Sequence, residues 1–278
     1  MTINIRRQRL PKVSACLQTI LLAWLCYFGV LSGHAQSIAA GPITVAAAAD
    51  LQFALPEIVN AYTKATGIPV RVTYGSSGNL AAQIANGAPF DVLLSADVRY
   101  PQQLIADKNA APESLTQYAR GCLVVWFGAS VRNLPAHAGI ADVAAPEIRN
   151  LAIANPKHAP YGRAAEAALK SAGIYDRVAS KLVLGENIAQ TAQFVESGNA
   201  QAGLVALSLL QGSKNHHEGV WRMVPLDTYP PLDQAGVVTS HGAKNSAARK
   251  FLEFLHSEAV RKIFEAYGFR RPSKELAK

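Results

Sequence analysis

Residues 43–96 read ITVAAAADLQFALPEIVNAYTKATGIPVRVTYGSSGNLAAQIANGAPFDVLLSA. ITVAAAA (43–49) has the continuous apolar character of a buried strand. From Asp50 to Thr66, the residues Leu51, Leu55, Ile58, Val59 and Tyr62 recur on one helical face. Pro56 falls in the first two turns of that helix, where proline is tolerated, and Gly67 ends it. PVRVTY (69–74) alternates like a strand, SGNLAAQIANG (77–87) returns to helix, and DVLLSA (91–96) is a second buried strand. This β-α-β-α-β run predicts a mainly parallel sheet with helices on both faces.

The pattern resumes after residue 120. GCLVVWF (121–127) and LAIAN (151–155) are expected as strands, followed by a helix over 162–173 that Gly173 closes. KLVLG (181–185), NIAQTAQFVESG (187–198) and AGLVALS (202–208) predict strand, helix, strand. WRMVP and AGVVTS predict two more strands, and two short helices are expected over 244–256 and 257–266. Two α/β lobes within about 240 residues imply a ligand cleft between them. It should lie at the carboxyl ends of the strands, where helix N-termini point inward.

The chain has 278 residues, half of them hydrophobic and 17% charged, which excludes a disordered or coiled-coil protein. Its net charge of +8 invites a nucleic-acid or anionic-membrane partner. The first 35 residues remove much of that argument. Arg6, Arg7, Arg9 and Lys12 precede the apolar stretch CLQTILLAWLCYFGVL (16–31), and Gly33-His34-Ala35 offers small residues before Gln36. This is the layout of a cleavable secretory signal peptide over residues 1–35, too short in its apolar part for a membrane span of about 20 residues. Cleavage takes away four basic residues and no acid, leaving +4, and leaves Cys122 as the sole cysteine. That residue lies in the apolar run CLVVWF and is expected as a buried, inert thiol. The remaining basic residues form no stripe, so nucleic acid is not an expected partner.

Three strand-to-helix turns carry groups suited to an anion. They are Ala48-Ala49-Asp50, Tyr74-Gly75-Ser76-Ser77-Gly78-Asn79, and the run from Asn155 to Arg163; Gly185-Glu186-Asn187-Ile188 is a weaker fourth. The first N–H groups of a helix lack internal acceptors and sit at the positive end of its dipole. Serine adds a small donor and glycine allows close approach. Ser77 and Asp50 are also ordinary N-cap residues, so one such turn by itself decides nothing. Other chemistry is absent from the sequence: there is no G-x-S-x-G elbow, Walker A motif, G-x-G-x-x-G or H-E-x-x-H. His216-His217-Glu218 lies in the polar loop GSKNHHEG and is expected as solvated loop rather than a metal site.

The segments ITVAAAADLQFALPEI, VTYGSSGNLAAQIANGAPFDVLLSAD, IANPKHAPYGRAAEAAL, LGENIAQTAQFVESGNAQAGLVALS and FLEFLHSEAVRKIFEAYGF, in this order, resemble the periplasmic molybdate-binding proteins of ABC transporters over residues 42–269. The resemblance implies a class II periplasmic-binding-protein fold, with two α/β lobes joined by two crossover strands. Lobe one would take residues 41–121 and 228–278, and lobe two residues 122–227. It implies a monomeric, exported, non-enzymatic receptor that needs no cofactor. The receptor binds molybdate or tungstate and hands it to an inner-membrane ABC permease. Carried over by position, the oxyanion ligands fall on Asp50, Ser77, Tyr161 and Ile188, the last two through backbone N–H groups. The family commonly has serine where Asp50 stands, and a tyrosine that closes the site in some members falls on Ala206. Tyr161 is placed to make up part of that loss, and Lys157 and Arg163 to balance charge.

Asp50 poses a physical problem, because a carboxylate facing a dianion repels it, most of all in a dry site. Three arrangements resolve it. The carboxylate turns away to cap the first helix while its N–H faces the ligand, or it is protonated and donates, or it approaches the metal centre. The first is the expectation. Two other functions stay open: a receptor for sulfate, phosphate or a small carboxylate, and a periplasmic hydrolase. The hydrolase would need a base for Ser77, so a wholly neutral cleft, or no histidine within its reach, argues against it.

Overall fold

The computed structural model describes residues 41–132, 134–212 and 218–272. The expected signal peptide and His216-His217 lie outside the described residues. From Ile43 the chain runs β1 (Ile43–Ala48), a 3₁₀ turn (Ala49–Leu51), α1 (Ala54–Thr66), β2 (Val70–Gly75), α2 (Ser77–Ala85), β3 (Val92–Ser95), α3 (Arg99–Ala106) and β4 (Thr116–Gly121). It continues through β5 (Leu123–Phe127), β6 (Leu151–Ala154), α4 (Pro160–Ser171), α5 (Tyr175–Val178), β7 (Leu182–Gly185), α6 (Ile188–Glu196), β8 (Ala202–Ala206), α7 (Leu207–Gln211) and β9 (Val220–Met223). It then returns as β10 (Leu232–Val238) and ends in α8 (Ser246–Phe254) and α9 (Glu258–Ala266).

Two five-stranded sheets result, ordered β2-β1-β3-β10-β4 and β7-β6-β8-β5-β9. Each is half antiparallel, which corrects the mainly parallel expectation. Strands joined through a local helix pair in parallel, as β1 does with β2 and β3, and β6 with β7 and β8. Strands that connect the lobes run the other way: β10 is antiparallel to β3 and β4, and β5 to β8 and β9. Local sequence shows only the first kind.

The expected strand 121–127 divides at Cys122. Gly121 pairs with Leu232 in the first sheet and Leu123 with Ala206 in the second. One apolar run therefore serves both lobes and is one of the two crossings; the other is the segment between Met223 and Leu232. Tyr229 ties the crossings together by accepting a hydrogen bond from Leu123 N–H at 3.1 Å. Cys122 is buried and free, and burial pushes its thiol pKa up, which suits an inert thiol.

Several element boundaries also move. The first helix starts at Ala54 rather than Asp50, which places Pro56 in the opening turn, where its missing N–H costs no helical bond. Gly67 ends it with φ +73°, a left-handed conformation that glycine adopts without strain. The run AGLVALS bends into α7 after Ala206. The sequence reading assigned no element to α3.

Both faces of the first sheet are covered, so β1 is apolar but for Thr44 rather than alternating. Ile43, Val45 and Ala47 point to one side, against Leu55, Ile58 and Tyr62 of α1 and Phe251 of α8. Ala46 points to the other, with Leu80 and Ile84 of α2 and Leu104 of α3. A separate core holds the second lobe, with Val124, Trp126, Ile153, Leu169 and Leu204. Each lobe thus has a packed core of its own against which the turns at its strand ends are set. Among the described residues no helix is long and apolar enough to cross a membrane.

Candidate functional site

The turns after β1 and β2 and the starts of α4 and α6 converge on one small cavity. Asp50, Ser77, Tyr161 and Ile188 all line it. All four are buried, at 1%, 1%, 2% and 4% exposure. Two come from each lobe, so the cavity exists only with the lobes in contact.

Local sequence explains how each turn presents its donors. Pro160 opens α4 at the position where a missing N–H is harmless, and leaves the N–H of Tyr161 as the first donor of the helix. Gly162 lets this turn press onto the end of β6, since a Cβ there would lie 2.1 Å from the Ala154 carbonyl oxygen. Asn187 caps α6 by accepting from the N–H groups of Ala189 and Gln190. The N–H of Ile188 precedes both and has no intrahelical acceptor. Ser77 Oγ accepts from Ala96 N–H at 3.0 Å, which anchors the oxygen and keeps the hydroxyl proton for donation.

Asp50 behaves differently from the expectation. It does not cap a helix: no side-chain cap is formed at this turn. Its Oδ2 accepts from Tyr161 Oη at 3.0 Å and from Gln234 Nε2 at 2.5 Å. Its Oδ1 is buried without a partner. Burial pushes the carboxyl pKa up to about 6, although the bonds from Gln234 and Tyr161 work against the rise. The Tyr161 hydroxyl therefore serves Asp50 and is not free to replace the group missing at Ala206. Burial, and then the Asp50 charge, hold the Tyr161 pKa well above the usual tyrosine value. Ser208, two residues past Ala206, donates instead to the Asp50 carbonyl at 2.8 Å.

A ring of bonds around the cavity holds the lobes together. The His158 carbonyl accepts from Gly78 N–H at 2.9 Å and Tyr100 Oη at 3.1 Å. The His158 ring meets Ser76 Oγ at 2.9 Å, and its other nitrogen lies 3.7 Å from Glu186. Asn79 donates to Glu186. Arg163 reaches back to Asp97 and to Tyr100 Oη, both at 2.8 Å. Asp97 stays below its usual pKa because bonds from Arg99 and Arg163 outweigh its burial. Arg163 thus binds lobe to lobe, and Lys157 is exposed, so neither neutralises an anion in the cavity.

The sequence reading missed Gln234, Ser208 and the closing role of His158. Gln234 had a weak signal, as a polar residue beside Asp233 at the head of the apolar run AGVV, and the structure buries it fully. The other two depend on contacts between residues far apart in the chain. Among the described residues no group of His, Cys, Asp and Glu is arranged to hold a metal ion.

Residues 43–270 match the model of a family described as bacterial extracellular solute-binding protein. The molybdate-binding protein ModA of Rhodobacter capsulatus is 37% identical over 240 residues, covering 86% of this chain and 92% of that protein. Its namesake from Azotobacter vinelandii is 36% identical, covering 87% of this chain and 93% of that protein. The solved structure titled as the periplasmic molybdate-binding protein of Azotobacter vinelandii superposes with a TM-score of 0.76 at 30% identity, covering 83% of this chain and all of that one.

Proposed function

We propose, starting from the fact that this chain belongs to the bacterial extracellular solute-binding protein family, that it is the molybdate-binding receptor of an ABC transporter. It captures molybdate or tungstate between its lobes in the periplasm and presents the closed complex to a membrane permease. It works as a monomer, without a cofactor, without nucleic acid and without covalent chemistry. The observation that carries this reading is the convergence of uncharged donors from both lobes on one small buried cavity. The Ser77 hydroxyl and the N–H groups of Tyr161 and Ile188 are its oxyanion ligands, and Asp50 is the fourth. Fixed N–H and O–H dipoles replace the water shell of an oxyanion without any full counter-charge.

Hydrolysis is a poorer reading, although the cleft is not wholly neutral. The Ser77 oxygen is engaged by Ala96 N–H rather than by a histidine. The neighbouring Ser76 does meet His158, but the two sit on opposite lobes and join only when the cleft is shut. A nucleophile whose base leaves with every opening does not meet substrate ready for attack.

Calorimetry of the purified chain with sodium molybdate tests the proposal, with micromolar binding expected. Sulfate should fail to displace molybdate, because a rigid cage of donors favours the larger oxyanion whose oxygens reach them. Ser77→Ala should weaken binding by about 1.5–3 kcal/mol, roughly tenfold to a hundredfold, the range for a hydrogen bond to a charged group. No molybdate binding by the native chain sinks the proposal.

A further inference from the structure

We propose that Asp50 binds as a neutral acid: its Oδ1 carries a proton and donates it to one oxygen of the captured oxyanion, so that each capture takes up a proton along with the dianion. The inference rests on the oxyanion-receptor reading above and adds the protonation chemistry of that site.

The hydrogen-bond pattern fixes where the proton sits. Gln234 Oε1 accepts from Tyr118 Oη at 3.1 Å, which orients the amide so that Nε2 faces Asp50. Both Gln234 Nε2 and Tyr161 Oη then donate to Oδ2 and occupy its two lone pairs. A proton on the carboxyl therefore belongs on Oδ1, the buried atom that has no protein partner. A buried polar atom left without a partner is costly, and a ligand oxygen supplies the missing one only if a hydrogen lies between them. An ionised carboxylate would offer a lone pair to another lone pair.

Charge leads to the same state. Asp50 is 1% exposed, and the cations of the neighbouring turns are committed elsewhere, Arg163 to Asp97 and Lys157 to solvent, while Arg120, which with Arg270 acts on Cys122 and Tyr229, pairs with Asp233. Burial already raises the carboxyl to about 6 in the ligand-free protein, and an adjacent dianion raises it further. The other titratable groups around Asp50 stay neutral near pH 7. Tyr161 of α4 and Tyr118 of β4 are both held well above the usual tyrosine value by burial and by Asp50. Cys122 and Tyr229, which flank Tyr161, are raised by burial as well. Gln234 of β10 and Ser208 of α7 do not titrate in this range.

Calorimetry with sodium molybdate at pH 6 and pH 8, in buffers of different ionisation enthalpy, tests this. If only the neutral acid binds, the apparent Kd rises as the protonated fraction falls, making binding roughly fiftyfold weaker at pH 8 than at pH 6. Proton uptake should approach about one per ligand at pH 8 and about half at pH 6. Asp50→Asn keeps an acceptor for Tyr161 and Gln234 and presents an N–H₂ group to the ligand. Its affinity should not change between the two pH values, and at pH 8 it should exceed that of the native chain. His158→Gln removes the closing histidine and should keep the fiftyfold ratio even if overall affinity falls. Flat pH dependence in the native chain, absence of proton uptake at pH 8, or a ratio that survives in Asp50→Asn would overturn the proposal. If Asp50→Asn does not fold, proton uptake by the native chain decides. Failure of the native chain to bind molybdate at either pH overturns the receptor reading itself, and this proposal with it.

Discussion

Gly78→Ala is expected to weaken molybdate binding by about a hundredfold or more while each lobe keeps its fold. Gly78 is the second residue of α2, and its N–H donates across the cleft to the His158 carbonyl at 2.9 Å. A Cβ built on it would lie 2.6 Å from that carbonyl oxygen and 2.7 Å from Tyr100 Oη. Tyr100 is the end of a side chain and can move. The His158 oxygen is backbone, set by the turn that presents Tyr161, so relief requires the lobes to part. Parting withdraws the Tyr161 and Ile188 N–H groups from an anion still held by Ser77. Two hydrogen bonds to a charged ligand at about 1.5–3 kcal/mol each set the loss at about 3 kcal/mol or more. The new methyl points across the cleft and away from either core, and alanine is a better helix former than glycine by about 1 kcal/mol. Calorimetry should therefore show the affinity collapse without a lower melting temperature for the ligand-free chain. Unchanged affinity would mean that closure is not part of binding.

Much of this site was legible in the sequence because its donors belong to the backbone. An N–H at the start of a helix is fixed by where the strand ends and the helix begins, and Pro160 and Asn187 mark those starts. Ser77 was legible because it opens α2 and its short side chain stays at that turn. The direction of a side chain is another matter. Asp50 was placed at the right turn but given the wrong partner, because its carboxylate is held by Tyr161, 111 residues away, and by Gln234, 184 residues away. The divided strand at Cys122 shows the same limit at the level of the fold. GCLVVWF looks like one strand because both halves are buried, and only the pairing of Gly121 with Leu232 and Leu123 with Ala206 shows that they serve different sheets. The antiparallel half of each sheet was hidden likewise, since its partners are the strands that carry the chain between lobes.

Asp50→Asn should raise the stability of the ligand-free chain at pH 7.5 by about 3 kcal/mol and leave it nearly unchanged near pH 4. Burial raises the folded carboxyl from its ordinary 3.8 to about 6. Between those values the folded state binds more protons than the unfolded one, so stability falls as pH rises. The contribution of Asp50 is complete below about pH 4 and is lost as pH rises through about 6. About two units at 1.36 kcal/mol each give the magnitude. Asparagine mimics the neutral acid and never ionises, so the two proteins agree in acid and separate above pH 6. Asp97 has the opposite sign, because its depressed pKa makes it lose stabilisation as pH falls. It is present in both proteins and cancels in their difference. For a chain of this size about 3 kcal/mol corresponds to roughly 6–12 °C in melting temperature. Thermal unfolding of both proteins from pH 4 to pH 8 measures the divergence, and parallel curves would show that the Asp50 carboxyl titrates alike in the folded and unfolded states, so that burial does not raise it. A residue that destabilises the empty protein at neutral pH, when one substitution by asparagine removes the penalty, points to a benefit realised in the liganded state. In this site that benefit is a donor that is complete only when the carboxyl holds its proton.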